Sequence, residues 1–292
     1  MKKIAFIFPG QGSQYAGMGK DFYDTYSCAK EMIDLASEVS GMDMNHLLFE
    51  ENEELNITKY TQIAMLADEL AILQVLKEKG YTASVTAGLS LGEYAALVAS
   101  GVMTPEDAFR VVVKRGAYMQ EAVPEGGAMT AIMGMDNETI EKICEETDGI
   151  VSVANYNCPG QTVITGEAPA VEAAAAALKA AGAKRCIPLN VSGPFHTALL
   201  KPASDRLAVE LEKMTISDMN IPVITNVTGT EVEKKEDIIP LLIKQVMSPV
   251  KWEDTVNYLY NKGVDTFIEV GPGKTLSGFV KRTVKGVKIY NV

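Results

Sequence analysis

The feature that most constrains the fold is an apolar run that leads directly into a glycine-flanked serine and then into a helical segment. Residues 84–89 predict a buried strand, Ser90 follows at a tight turn, and residues 93–100 have helical periodicity. This is the G-x-S-x-G arrangement, in which the sharp strand-to-helix turn admits only small residues beside the serine. The serine hydroxyl then lies at a helix N-terminus, which favours developing negative charge. The pattern predicts a nucleophilic Ser90, with a plain glycine-rich connection as the alternative.

Alternating strands and helices extend on both sides of this turn and predict an α/β fold, with a parallel sheet covered by helices on both faces. The first strand is expected at residues 4–8, an apolar run of five residues that is too short for the core of a signal peptide. Helices are expected at 21–39 and 250–261, among others.

The middle of the chain has a different order of elements. Between residues 126 and 192 the predicted order is β-α-β-β-α-β, which is the ferredoxin-like arrangement. We therefore expect residues 1–125 and 193–292 to form a large α/β domain and residues 126–192 to form a subdomain inserted into it.

The composition is typical of a folded globular protein, because 47% of the 292 residues are apolar and 22% are charged. Lysine and arginine number 27 against 38 aspartates and glutamates, so the net charge is −11. An acidic chain without long basic runs argues against nucleic acids or anionic membranes as the main partners. No apolar run approaches the ~18 residues that span a bilayer.

The cysteines and histidines indicate no metal site. The chain has only two histidines and no C-x-x-C pair. Single cysteines suit a reducing compartment, so we expect a cytoplasmic protein. The four cysteines are Cys28, Cys144, Cys158 and Cys186.

A nucleophilic serine needs a base, and the two histidines are the candidates. His46 lies among helical apolar residues in MNHLLFE, where a surface or partly buried histidine is expected. His196 follows a glycine-proline bend at the predicted domain junction, where sites gather, and by elimination it is the candidate base. No aspartate or glutamate is clearly placed as a third member, so a dyad and a triad both stay open.

A second glycine-rich loop, FPGQGSQ at residues 8–14, follows the first strand. Loops after parallel strands converge on one edge of the sheet, so this loop could supply a second oxyanion donor beside the N–H that follows Ser90. It is not a nucleotide motif, because Tyr15 occupies the third glycine position of G-x-G-x-x-G. A P-loop at Gly273 is excluded because Ile268 stands where its first glycine should be.

Five segments in this order resemble one family over essentially the whole chain: FPGQGSQ, GLSLGEYAAL, VKRGAYMQ, NYNCPGQTVITG and SGPFHT. They are similar to the malonyl-CoA:acyl-carrier-protein transacylases of fatty acid synthesis and to the acyltransferase domains of polyketide synthases. The resemblance implies an α/β-hydrolase-like parallel-sheet core with an inserted ferredoxin-like subdomain, which agrees with the order of predicted elements.

The resemblance also implies the catalytic groups. Ser90 would be the nucleophile that carries the acyl group, and His196 would be its base. The backbone N–H groups of Gln11 and Leu91 would form the oxyanion hole.

Four further residues would shape substrate recognition. Arg115 in VKRGAYMQ would bind the malonyl carboxylate, although from its neighbours alone it would be a charge on a solvated helix face. The backbone carbonyl of Gln245 would orient the histidine in place of a triad acid, and Phe195 would exclude an α-methyl branch. One departure is Leu89, since many relatives have histidine there, and this changes the pocket wall.

The implied reaction is ping-pong transfer of a malonyl group from malonyl-CoA to the phosphopantetheine thiol of acyl carrier protein, without metal or bound cofactor. A polyketide-type acyltransferase, a serine thioesterase or other hydrolase, and a catalytically dead carrier-binding scaffold are the alternatives. We expect a monomer.

The carrier protein is expected to bind a local basic patch, because the protein as a whole is acidic. Lys184 and Arg185, at the start of the last subdomain strand, are the first candidates. A second candidate is the C-terminal cluster of Lys281, Arg282, Lys285 and Lys288.

Overall fold

The computed structural model describes residues 3–191 and 193–292. Met1, Lys2 and Ser192 lie outside the described residues, and so do the matching ends of the predicted ranges 1–125 and 126–192. The strands found are β1 (Ile4–Phe8), β2 (Val85–Gly88), β3 (Gly127–Met133), β4 (Val151–Cys158), β5 (Gln161–Glu167), β6 (Arg185–Pro188), β7 (Val223–Ile224), β8 (Val250–Lys251), β9 (Thr266–Glu269) and β10 (Lys288–Asn291).

Helices connect most of these strands, and three short 3₁₀ helices lie between them. The α-helices are α1 (Lys20–Thr25), α2 (Ser27–Ser40), α3 (Met44–Phe49), α4 (Thr58–Glu78), α5 (Gly92–Ser100), α6 (Pro105–Ala122), α7 (Asn137–Glu146), α8 (Ala168–Ala180), α9 (Lys201–Leu211), α10 (Ile238–Gln245), α11 (Trp252–Asn261) and α12 (Thr275–Thr283).

The first sheet is parallel throughout, with the strand order β10-β9-β1-β2-β7. Side chains of β1 alternate between two cores, as the two-residue period of a strand requires. Phe6 and Phe8 pack in the core formed with α2, α4, α5 and α6, whereas Ala5 and Ile7 pack in the core formed with α11 and α12. Both faces of this sheet are therefore buried, as the continuous apolar run predicts.

The second sheet has the order β6-β3-β5-β4-β8. Its first four strands pair antiparallel in the ferredoxin-like order, and α7 and α8 cover one face through a separate apolar core. The predicted fold class, a parallel α/β core with an inserted ferredoxin-like part, is confirmed. The bounds 126–192 for a separate subdomain stay a proposal.

The predicted helix 250–261 is wrong at its start, because the helix begins at Trp252. The two preceding residues form β8, which pairs in parallel with β4 through Asn155 and Tyr156. A segment from outside the range 126–192 thus extends the second sheet. This pairing joins residues about a hundred positions apart, so local periodicity gives no sign of it.

The predicted helix 21–39 is divided into α1 and α2 at Tyr26, whose backbone is extended with φ −121° and ψ 122°. The centroid of the Tyr26 ring lies 6.0 Å from that of the Phe22 ring. The Lys79 ammonium lies over the Tyr26 ring, 4.6 Å from its centroid. These contacts join the junction of α1 and α2 to the end of α4.

The turn between β2 and α5 is built on two glycines that have no room for a side chain. A Cβ on Gly88 would lie 1.9 Å from the carbonyl carbon of Gly92. A Cβ on Gly92 would lie 2.2 Å from the carbonyl oxygen of Phe8 and 2.6 Å from that of Pro9. Helix α5 therefore starts in direct backbone contact with the end of β1, and this contact fixes where Ser90 lies.

We expect Gly92→Ala to destabilise the fold by about 1–3 kcal/mol or more, because the added methyl group meets backbone atoms that cannot rotate away. Denaturant unfolding measures this difference. The control is Gly278→Ala in α12, where a Cβ meets no atom within 4 Å and helix propensity favours alanine. Equal stability of Gly92→Ala and the unsubstituted protein would contradict the close contact.

Candidate active site

Ser90 lies at a cavity of about 230 Å³ between the carboxyl end of the parallel sheet and the second sheet. Its backbone φ is 53°, and that of His196 is 63°. Within residues 3–191 and 193–292 these are the only non-glycine residues with positive φ. Each such conformation costs on the order of 1–3 kcal/mol, and this strain concentrates at functional sites. The two strained residues are also in contact with each other, which marks this point as the candidate active site.

The Ser90 hydroxyl is held from two sides. Its Oγ lies 2.9 Å from Nε2 of His196 and 3.0 Å from Nη2 of Arg115. The guanidinium can only donate, so the hydroxyl accepts from Arg115 and is free to donate its proton to the imidazole. The structure thus brings together the three side chains that the sequence singled out.

His196 is buried and its tautomer follows from its neighbours. Nδ1 lies 3.0 Å from the carbonyl oxygen of Gln245 and 3.1 Å from that of Ser248. Two acceptors at Nδ1 require the proton there, which leaves the Nε2 lone pair facing the Ser90 hydroxyl. Burial, with a smaller contribution from the positive charge of Arg115, lowers the pKa of His196 to about 4, although hydrogen bonds to the two carbonyls act in the opposite direction. The imidazole is therefore neutral at physiological pH and able to accept a proton.

Arg115 is a buried cation that forms no ion pair within the described residues, although the carboxyl group of Glu93 acts on it electrostatically over a longer distance. Its side chain is 1% exposed, and within the described residues no carboxylate lies within ion-pair distance of it. Nη1 donates to Oε1 of Gln62 at 2.7 Å and Nη2 donates to Oε1 of Gln245 at 3.0 Å. Burial lowers the pKa of Arg115, yet a guanidinium stays charged in proteins. An anion beside Ser90 would supply the missing counter-charge.

Two backbone N–H groups beside Ser90 remain available to a ligand. In the part of the chain that the structure describes, the N–H groups of Gln11 and Leu91 have no assigned acceptor, and both residues line the cavity. The Gln11 side chain is fixed by donation to Oγ1 of Thr58 at 3.0 Å. The arrangement allows these two N–H groups to bind an oxyanion formed at Ser90.

Apolar side chains form part of the remaining wall of the cavity. Leu89 and Phe195 lie on the side of the parallel sheet, and Met129 and Val163 contribute from the second sheet. Phe195, directly before His196, is 7% exposed. Polar side chains of the second sheet, Asn155, Asn157 and Gln161, also line the cavity, so its wall is mixed rather than wholly apolar.

Four residues of the site were not found from the sequence. Gln62 binds Arg115, and the Ser248 carbonyl binds His196. Asn226 binds the backbone of Ser90, and its own N–H donates to Oε2 of Glu93. Burial raises the pKa of Glu93 to about 7. Of these four residues, only Asn226 could have been suspected from the sequence. It comes shortly after β7, and polar residues that follow parallel strands lie together at one edge of the sheet.

The candidate docking residues lie apart from these groups. Lys184 and Arg185 are exposed at the start of β6, an edge strand of the second sheet. In the C-terminal cluster, Arg282 donates to the side chain of Gln161, which lines the cavity. Lys184 and Arg185 thus lie at the second sheet, whereas the C-terminal cluster contacts that sheet through Arg282 and its Lys288 lies in β10 of the first sheet.

His46 lies on the surface, where its Nδ1 is 2.7 Å from a carboxylate oxygen of Glu50. Among residues 3–191 and 193–292, no group of three or more His, Cys, Asp or Glu side chains could hold a metal ion. No helix in these residues is long and apolar enough to cross a membrane.

The fold and the grouped serine, histidine and arginine define the class of acyltransferases. The sequence model of the acyl transferase domain matches residues 5–292, and the chain belongs to this family of enzymes.

Particular relatives are similar over nearly their full lengths. The chain is 49% identical to the malonyl CoA-acyl carrier protein transacylase of Bacillus subtilis, over 99% of this chain and 92% of that protein. It is 48% identical to the enzyme of the same name from Escherichia coli K12, over 97% of this chain and 94% of that protein.

Two solved structures have the same architecture. One is a malonyl-transacylase in complex with its type II polyketide-synthase acyl carrier protein, with a TM-score of 0.97 and 46% identity over 100% of this chain and 96% of that one. The other is the transacylase MCAT of Streptococcus pneumoniae, with a TM-score of 0.96 and 50% identity over 99% of this chain and 96% of that one.

The two histidines should titrate far apart. Ion pairing with Glu50 raises the pKa of His46, whereas burial lowers that of His196 to about 4. NMR of the imidazole C–H signals measures both, and His46→Gln assigns them. A His196 signal that titrates near the ordinary value of about 6.5 would contradict the buried, neutral imidazole.

Proposed function

We propose that this protein transfers the malonyl group from malonyl-CoA to the phosphopantetheine thiol of acyl carrier protein, through a malonyl ester on Ser90. The observation that carries the proposal is Arg115, a buried cation without a carboxylate partner, 3.0 Å from the Ser90 hydroxyl. A malonyl thioester has a free carboxylate two bonds beyond its reacting carbonyl carbon, and a guanidinium binds a carboxylate with two hydrogen bonds. The names of the similar enzymes support the same reaction.

In the first half-reaction, the Ser90 oxygen attacks the thioester carbonyl while its proton moves to Nε2 of His196. The N–H groups of Gln11 and Leu91 stabilise the oxyanion. When the intermediate collapses, the C–S bond breaks and the imidazolium returns the proton to the departing CoA sulfur. In the second half-reaction the carrier thiol gives its proton to Nε2 of His196 and its sulfur attacks the ester carbonyl carbon. The bond between that carbon and the Ser90 oxygen then breaks, and the imidazolium returns the proton to this oxygen, which regenerates the Ser90 hydroxyl.

The orientation of His196 by the carbonyls of Gln245 and Ser248 supports a dyad. Carbonyls fix the tautomer without adding an anion to a site that must accept the malonyl carboxylate. A hydrolase of the same elbow type usually has a triad carboxylate and has no need of a buried Arg115, so the thioesterase alternative is less well supported.

The pathway stays open between fatty acid and polyketide synthesis. The similar structure that contains a polyketide carrier protein supports the polyketide alternative, and the chemistry is the same in both. We further propose a monomer without metal or bound cofactor, in the cytoplasm. The four unpaired cysteines agree with a reducing compartment.

Phe195 and Leu89 are proposed to shape the acyl pocket, since both line the cavity. Phe195 is nearly buried beside the base and leaves little room for an α-methyl branch on the acyl group.

Ser90→Ala should abolish malonyl transfer to the carrier protein while the protein stays folded, because it removes the hydroxyl that lies 2.9 Å from Nε2 of His196. The measurement is transfer of labelled malonyl to the carrier protein, with a thermal melt to check folding. Ser100→Ala, at the other end of α5, is the matched control and should stay active. Transfer by Ser90→Ala above background would overturn the role of Ser90.

Arg115→Ala should change selectivity rather than abolish chemistry. We expect malonyl-CoA to lose about two to three powers of ten in kcat/KM, as removal of a charged hydrogen-bond partner implies, while acetyl-CoA reacts as well or better. Competition between the two substrates measures the ratio. Arg110→Ala, an exposed arginine of the same helix, should leave the ratio unchanged. Equal loss with both substrates would mean that Arg115 does not bind the carboxylate.

The carrier-docking proposal rests on charge and on exposed apolar surface. Both CoA and an acidic carrier protein are repelled by a net charge of −11, so docking needs local positive charge. Beside Lys184 and Arg185, Ile187 is 41% and Leu189 is 37% exposed, and Leu189 also lines the cavity. The patch therefore continues to the mouth of the site.

Reversing Lys184 and Arg185 to glutamate should slow the carrier half-reaction and weaken its salt dependence, while acylation by malonyl-CoA changes much less. Single-turnover rates of the two half-reactions separate these effects. The control reverses two exposed lysines outside both clusters, Lys213 and Lys234. An unchanged carrier half-reaction at low salt would move the docking surface to the C-terminal cluster.

A further inference from the structure

Two backbone groups at the turn between β2 and α5 have no hydrogen-bond partner in the neighbouring strand β7. The pairing of β2 with β7 ends at Ala87 opposite Ile224, so strand pairing leaves the Gly88 carbonyl and the Ser90 N–H without a partner on that side. The side chain of Asn226, two residues after β7, binds both. Its Nδ2 donates to the Gly88 carbonyl at 2.6 Å, and its Oδ1 accepts from the Ser90 N–H at 2.6 Å.

We propose that Asn226 is a positioning residue that holds Ser90 in its left-handed conformation for the transfer reaction; the inference rests on the proposed function. Asn226 is 1% exposed and does not line the cavity, so it acts through Ser90 rather than on the substrate. The side-chain amide of Asn226 takes the place of one peptide group of a neighbouring strand. It offers the donor and the acceptor that a longer β7 would have offered to this part of the turn. The strained φ of 53° at Ser90 is thereby locked on both sides of the serine.

Asn226 is itself held by the elements around the site. Its N–H donates to Oε2 of Glu93, in the first turn of α5, at 2.8 Å. Its carbonyl accepts from the N–H of Lys251 in β8 at 3.0 Å. Gln245, whose carbonyl orients the base, donates through Nε2 to the Ser90 carbonyl at 3.0 Å. These bonds join the serine turn to the segment that holds His196, so the serine–imidazole distance depends on Asn226.

The residue type matters because the position needs one donor and one acceptor. Alanine leaves the buried Ser90 N–H and Gly88 carbonyl unpaired. An ionised carboxylate accepts from the N–H of Ser90 but faces the Gly88 carbonyl with a second acceptor. A neutral carboxyl group restores the donor, because its O–H can point at the Gly88 carbonyl. Asn226→Asp therefore has a signature that a merely structural defect lacks, which is recovery on acidification.

The experiment measures the acylation rate constant and KM with malonyl-CoA from about pH 8.5 to about pH 5, each as a ratio to the unsubstituted protein. The charged or titratable groups around this position are Glu93 on α5, Arg115 on α6, His196 and Lys251 on β8. They are present in the variant and in the unsubstituted protein, so the ratio of the two rate constants cancels the pH dependence that both proteins share. The matched control is Thr225→Ala, whose side chain bonds Thr228 instead of the serine turn.

We expect Asn226→Ala to lower the acylation rate constant about ten- to a hundredfold at every pH, with KM within about twofold. Asn226→Asp should match that loss at high pH and recover about tenfold or more towards pH 5. A flat ratio for Asn226→Asp, or a loss confined to KM, would overturn the proposal. Failure of the unsubstituted protein to acylate would instead overturn the proposed function.

A measurement without substitution covers the case in which the variants do not fold. In the unsubstituted protein, amide hydrogen exchange at Ser90 should be slow, as for a strand residue, because Asn226 binds its N–H. The neighbouring Leu91 N–H, which has no assigned acceptor, should exchange faster. Equal exchange at the two positions would contradict the bond on which the proposal rests.

Discussion

Close packing of α5 against the ends of β1 and β2 is the constraint on which the site depends. A glycine occupies each contact, so the backbones of Gly88 and Gly92 pack directly against each other where the chain reverses direction. Ser90 must then adopt a positive φ, and its hydroxyl leaves the sheet at the helix N-terminus. The left-handed backbone of Ser90 is thus a consequence of helix-to-strand packing, and the surrounding hydrogen bonds keep it in place.

A buried charge decides what the site can bind. Removing a guanidinium from water is costly unless hydrogen bonds and an opposite charge replace the solvent. Around Arg115 the replacement is only partial, with two amide oxygens, the Ser90 hydroxyl and the face of the Tyr94 ring, whose centroid lies 5.6 Å from Cζ. Nε has no acceptor among the described residues. We propose that a substrate carboxylate completes this set, so that the energy left uncompensated in the fold favours a malonyl group over a neutral acyl group.

The features of the fold and the site that depend on residues close together in the chain could be predicted from the sequence. The serine turn, the alternation of strands and helices and the ferredoxin-like order follow from local patterns, and the resemblance located Arg115 and Gln245. Contacts between distant segments could not be predicted. The pairing of β8 with β4 and the bonds of Asn226 and Ser248 depend on three-dimensional approach, which periodicity does not encode.

We propose that Ser90 carries a malonyl group until the carrier thiol attacks it. Intact-mass measurement after addition of malonyl-CoA alone tests it most directly. We expect a lasting adduct of one malonyl group per chain, which disappears when the carrier protein is added and reappears on its phosphopantetheine arm. Rapid release of free malonate, with no adduct at any time, would contradict a transferase and favour a hydrolase.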